Sequence, residues 1–141
     1  MTVKEFLNSV RRQHARVETC KERLKEIECE VISLKSPQLG DKIQSNNVKS
    51  LDEVICRLEL KRTETSREFI RLMAIQDKAE MLISYEKDHD RWAVLYRRYI
   101  INQKWEEIAV QMHFDLRWVY RIHGAALRDL ESTPLKATID M

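Results

Sequence analysis

The chain has 141 residues, which suits one domain or one domain with an extension. Hydrophobic residues make up 43% and charged residues 34%, with two Gly and two Pro; many Leu, Lys, Arg and Glu and few breakers point to a helical protein. The formal net charge of +2 is well short of the imbalance that alone announces a nucleic-acid binder, and no segment approaches the roughly 18–20 consecutive apolar residues of a membrane span.

Residues 2–34 carry a heptad pattern. Val3, Val10, Val17, Leu24 and Val31 form one row; Phe6, Gln13, Cys20, Ile27 and Leu34 form the other. Such spacing makes a coiled-coil seam, with Gln13 as its polar position. Thr2 and Glu5 have capping-box spacing, in which hydroxyl and carboxylate satisfy free backbone N–H groups. No apolar run of signal-peptide length is found near residue 1.

Residues 35–50 break the pattern, with Pro37, Gly40 and Asn46-Asn47 marking a loop. Ser50 and Glu53 repeat the capping-box spacing, so a second helix is expected from about Ser50 to Tyr85–Lys87, roughly 50 Å long. Its apolar positions include Leu51, Val54, Ile55, Leu58, Phe69, Leu72, Ile75, Ala79, Leu82 and Ile83. The seam weakens over Lys61–Ser66, where Thr65 is the one semi-apolar candidate. Residues 1–87 are therefore expected to form a long helical hairpin or coiled coil. A two-helix hairpin is thin, so its leftover apolar edge is expected to meet a second copy, giving a homodimer.

Cys20, Cys29 and Cys56 are odd in number and lack CxxC spacing. They suit a reducing cytoplasm better than a disulfide framework. Cys20 and Cys56 read as seam residues.

The cluster EKDHD at 86–90 ends the second helix, and Asp88 can cap a third over about 89–101. Trp92, Leu95, Tyr96, Tyr99 and Ile100 form its apolar face, and Trp92, Tyr99 and Trp105 are expected in the core. Asn102–Lys104 is a polar link. A fourth helix over 105–112 turns Trp105, Ile108, Ala109 and Met112 inward. His113-Phe114-Asp115 is the turn, with His113 at a left-handed position. A fifth helix over 116–131, capped by Asp115, turns Val119, Ile122, Ala126, Leu127 and Leu130 inward, with His123 beside the third helix. Residues 132–141 read as a flexible tail.

Helices at 105–112 and 116–131 joined by so short a turn have the spacing of a helix-turn-helix, with Ala109 as the small residue and Ile108, Met112, Val119 and Ile122 as the wedge. The outward residues early in the fifth helix are Leu116, Arg117, Tyr120, Arg121 and Gly124. In a helix-turn-helix these enter the major groove of double-stranded DNA. Arg117 and Arg121 lie on one face, each able to make the bidentate contact to guanine that arginine favours. Tyr120 is the third candidate for a base contact. Arg98 and Lys104 are candidates for the DNA backbone. Seven Lys or Arg and seven Asp or Glu fall within residues 88–131, so one module should bind weakly and with salt sensitivity.

The run from Leu95 to Leu130 resembles region 4 of the sigma-70 family, whose helix-turn-helix ends in a similar AL..L pattern. It is more similar still to phage and prophage transcription regulators of the ArpU/RinA kind. Arg98-Tyr99, Trp105 to Ala109, Met112 and Val119 to Gly124 carry that resemblance. It implies an all-α protein, a long helical hairpin followed by a three-helix sigma-region-4-like domain at 88–131. It also implies sequence-specific regulation of phage or prophage genes in the cytoplasm of a bacterial host, with RNA polymerase as a possible partner. The sequence departs from the pattern in three places. Asp115 replaces the usual Ser, Lys104 stands where a small cap is expected, and Trp118 stands where a polar or basic residue is usual. Trp118 is open to packing, to contact with the DNA backbone, or to contact with polymerase.

Catalysis is not expected: a glycine-rich phosphate loop, HExxH and a nucleophile elbow are all missing. His113 and His123 lack a third ligand at helical spacing, so neither a metal nor a cofactor is expected. Two other readings fit the same residues. One is a coiled-coil adaptor whose helix-turn-helix binds protein, RNA polymerase included. The other is a small terminase-like recogniser of DNA for packaging.

Overall fold

A computed structural model describes residues 1–35 and 44–134, the side chains of 44–50 excepted. The described chain is all-α, with no strand. Its helices are α1 (Val3–Lys35), α2 (Gln44–Ile83), α3 (His89–Leu95, prolonged by a π-turn over Tyr96–Ile100), α4 (Trp105–Met112) and α5 (Leu116–Glu131).

Local signals set most of these ends. The Thr2 backbone N–H donates to Glu5 Oε2 at 3.0 Å, and the Glu5 N–H donates to Thr2 Oγ1 at 3.1 Å, so the capping box forms. Asp88 caps α3 by accepting from the backbone N–H groups of Asp90 and Arg91. α2 differs from expectation at both ends. It begins at Gln44, so Asn46, Asn47 and Ser50 are helical and Ser50 is not its cap. Between Gly40 and Leu51 the sequence holds neither Gly nor Pro to stop a helix growing backwards from its apolar part. The loop markers Pro37 and Gly40 lie outside the described residues. The other end falls at Ile83, where Tyr85 and Glu86 N–H groups return to the Leu82 and Ile83 carbonyls at 3.2 and 2.9 Å.

The chain divides into two compact units, Ala15–Ile70 and a second made of Met1–His14 with the chain from Arg71 onward. In the first, Ile27 and Val31 of α1 pack on Val54 and Leu58 of α2. The helices run antiparallel, as the ion pairs Arg16–Glu68, Arg62–Glu28 and Arg57–Glu30 require. Thr65 fills its seam position, its hydroxyl donating to the Lys61 carbonyl at 2.7 Å. Cys20 is half-buried, but Cys29 and Cys56 are exposed. Cys56 is therefore not a seam residue; Val54, Leu58 and the half-buried Ile55 take that face.

The second unit spans residue 88. Val3, Phe6, Leu7 and Val10 of α1 and Ala79, Leu82 and Ile83 of α2 share one core with Leu95, Tyr99, Ala126 and Leu130. Three short helices alone cannot cover the two apolar flanks of α3 and α5. Arg91 ties α3 to α5 through Asp129 at 2.6 Å. The free N–H of Val3 donates to Glu131 Oε1 at 2.6 Å. Trp92 is not in the core. Ala93, Val94, Leu95 and Tyr99 bury α3 on its other sides, and Trp92 stacks on Tyr96 at the exposed edge, 5.1 Å between centroids.

Leu7 is fully buried in this core. Leu7→Ala is expected to cost about 2–5 kcal/mol, and a chain lacking residues 2–14 to lose cooperative unfolding of α3–α5. Urea titration followed by circular dichroism measures both.

Candidate functional site

α4 and α5 form a helix-turn-helix with a buried wedge of Val94, Ile108, Ala109, Val119 and Ile122. α4 ends where His113 adopts a left-handed conformation, φ 59° and ψ 37°. The Phe114 N–H then reaches back to the Ala109 carbonyl at 3.0 Å. Asp115 starts α5, its Oδ1 accepting from the Trp118 N–H at 2.7 Å. At the head of α4 the capping is one-sided. Glu107 Oε2 accepts from the Lys104 N–H at 3.3 Å, whereas the Lys104 ammonium has no lone pair with which to cap in return. Its side chain stays exposed.

α3 ends unusually. The Ile101 N–H bonds to the Tyr96 carbonyl, and Asn102 follows at φ 70°. Carbonyls freed there are collected by arginines. Arg11 of α1 donates from Nη1 to the carbonyls of Arg98 and Gln103 at 3.0 and 3.1 Å. Arg98 donates to the Gln103 carbonyl at 3.1 Å and lies 4.2 Å over the Trp105 ring. Burial, and then for Arg98 the neighbouring Arg11, holds both guanidiniums below the ordinary arginine range.

Beneath α5, Tyr99 Oη lies 2.6 Å from His123 Nε2. The Trp105 ring meets His123 edge-on at 4.6 Å and Tyr120 at 5.3 Å. Burial, then Lys4 and Arg98, pushes the His123 pKa down to about 4, and burial pushes Tyr99 up to about 12. His123 is thus neutral at pH 7, and its Nε2 shares one hydrogen bond with the Tyr99 hydroxyl, the donor being set by the imidazole tautomer.

Arg117, Arg121 and Arg128 stand on the outer stripe of α5, all exposed. None of the three makes an ion pair or side-chain hydrogen bond among the described residues. Elsewhere arginines are engaged: Arg16, Arg23, Arg57, Arg62 and Arg91 face carboxylates. The stripe is a row of unspent donors.

Comparison with protein families, curated proteins and solved structures found no match.

The sequence-predicted residues separate on this geometry. Arg117 and Arg121 share the exposed stripe. Tyr120, 46% exposed, sits on its flank against Trp105. Trp118, 47% exposed, lies about 100° round the helix from Arg117, so it does not pack in the core. Lys104 is exposed at the head of α4, with no ion pair among the described residues, whereas Arg98 is half-buried and engaged with Gln103 and Trp105. Sequence reasoning missed Arg128, which the period of 3.6 places on the Arg117–Arg121 face. It also missed Arg11, whose carbonyl partners no local signal reveals. No group of three potential metal ligands occurs among the described residues, and no described helix is long and apolar enough to cross a membrane.

His123 should titrate near 6.5 unfolded and about 4 folded. Its contribution is present above 6.5 and is lost as pH falls towards 4. His123→Gln has no proton to gain. The stability advantage of the wild type over this variant is expected to shrink by roughly 3 kcal/mol between pH 7 and pH 4, in urea titrations at a series of pH values.

Proposed function

We propose that this protein is a sequence-specific DNA-binding regulator of transcription, with α5 entering the major groove. The carrying observation is the exposed row of arginines on α5 that have no acidic partner among the described residues, α5 being the second helix of a helix-turn-helix. Arg117 and Arg121 read base edges, guanine above all, and Tyr120 supports them from the flank. Lys104, exposed at the head of α4, takes a backbone phosphate, and Trp118 lies along the neighbouring strand. Regulation of phage or prophage genes rests on the resemblance of residues 95–130 to the ArpU/RinA kind. RNA polymerase is a partner on the same ground.

A homodimer supplies the affinity that one near-neutral module lacks. Ile32, Leu60, Phe69 and Ile70 of the Ala15–Ile70 unit are large, apolar and exposed. Ile32 also lines a shallow groove with Val31, Ile55 and Leu58. Ile32→Glu is expected to turn a micromolar dimer into a monomer in sedimentation velocity, with helicity unchanged. A wild type that sediments as a monomer would remove this part.

DNA recognition is tested by selecting duplexes from a randomised pool. Arg121→Ala is expected to cost about 1–3 kcal/mol and relax preference at one base position. Uniform loss over all sequences makes Arg121 a phosphate contact instead, and recovery of no duplex overturns the reading.

A further inference from the structure

Gly124 lies in the middle of α5, on the same stripe as Arg121 and Arg128. A glycine inside a helix is about 1 kcal/mol less favourable than alanine. Nothing among the described residues requires it. A Cβ built at this position meets no atom within 4 Å, and the residue is helical. The absence of a side chain leaves a bare patch of backbone bordered by three exposed arginines that make no ion pair or side-chain hydrogen bond among the described residues.

We propose that a DNA sugar-phosphate strand crosses α5 at Gly124 and that Arg128 grips it by a phosphate. This rests on the DNA-binding reading above. The rise of 1.5 Å per residue separates Arg117 from Arg128 by about 16 Å. A major groove is about 12 Å wide. A helix whose Arg117 and Arg121 reach base edges therefore carries Arg128 to the wall of the groove rather than its floor. Gly124, about 10 Å along the helix from Arg117, falls where the rising helix passes that wall. Glycine is the residue that lets backbone approach backbone most closely. Arg128 then contributes positioning and salt dependence rather than base preference.

Binding is measured by fluorescence anisotropy on a duplex recovered by the wild type from a random pool, and on a scrambled duplex, over a range of salt. Gly124→Ala is expected to melt higher by roughly 4 °C and to bind both duplexes roughly tenfold more weakly. Arg128→Ala is expected to weaken both duplexes alike and to flatten the slope of log affinity against log salt by about 0.9. A wild type that binds no duplex overturns the DNA reading and this inference with it. A wild type that binds, with Gly124→Ala binding as tightly, overturns the inference alone. So does Gly124→Ala changing the sedimenting mass instead, which makes the patch a helix contact. Arg128→Ala altering preference at a single base pair also overturns it.

Discussion

The hydrogen bond between Tyr99 and His123 lies where water is excluded, so neither group has another partner to turn to. Leaving one such group unsatisfied costs on the order of 1–3 kcal/mol. The bond therefore fixes how far α5 may rotate or slide on α3. Trp105 closes the site from α4, touching His123 with its edge and taking Arg98 on its face. One contact thus joins the three helices whose registers decide which residues of α5 look outward. Arg11 reinforces it from α1 by holding the carbonyls that the π-turn of α3 leaves open.

The charge distribution acquires meaning only after packing. Net charge is small over the whole chain and over residues 88–131. Acids are nevertheless matched to particular bases: Asp129 to Arg91, Glu68 to Arg16, Glu28 to Arg62. Asp115 is used on the backbone of its own helix. Burial raises the Glu86 carboxyl, with Asp129 beside it, so that acid is turned inward as well. What remains on α5 is positive along one line, which a count of residue types cannot show. Exposed ion pairs contribute little to stability; here their larger effect is to leave the α5 arginines unopposed among the described residues.

Much of this was legible in the sequence where the signal is local. α4 and α5 begin and end where their caps and 3.6-residue period put them, because Asp115, His113 and the apolar wedge act within a few residues of one another. Thr2–Glu5 and Asp88 were legible for the same reason. The candidate stripe could be read at Arg117 and Arg121 from helix geometry alone. The rest depended on distant partners. Leu7 lies off the heptad rows, yet it is buried because helices beyond α2 cover it. Trp92 is apolar by type, yet exposed, since Leu95 and Tyr99 had already claimed the core side of α3. Arg98 resembled a free cation until the π-turn and Trp105 engaged it. Nor does any motif announce that α1 completes the unit containing the helix-turn-helix.

That completion sets an order of events during synthesis. Val3 bonds to Glu131 at a sequence separation of 128. As the ribosome works, Val3, Phe6, Leu7 and Val10 emerge ahead of α3 and α5 and wait, apolar and uncovered, until those helices have been made. Contacts so distant in sequence form slowly, and the waiting surface is open to wrong partners. The Ala15–Ile70 hairpin, whose halves are closer in sequence, can close earlier. The face of α5 therefore becomes competent only after both α1 and α5 have left the ribosome.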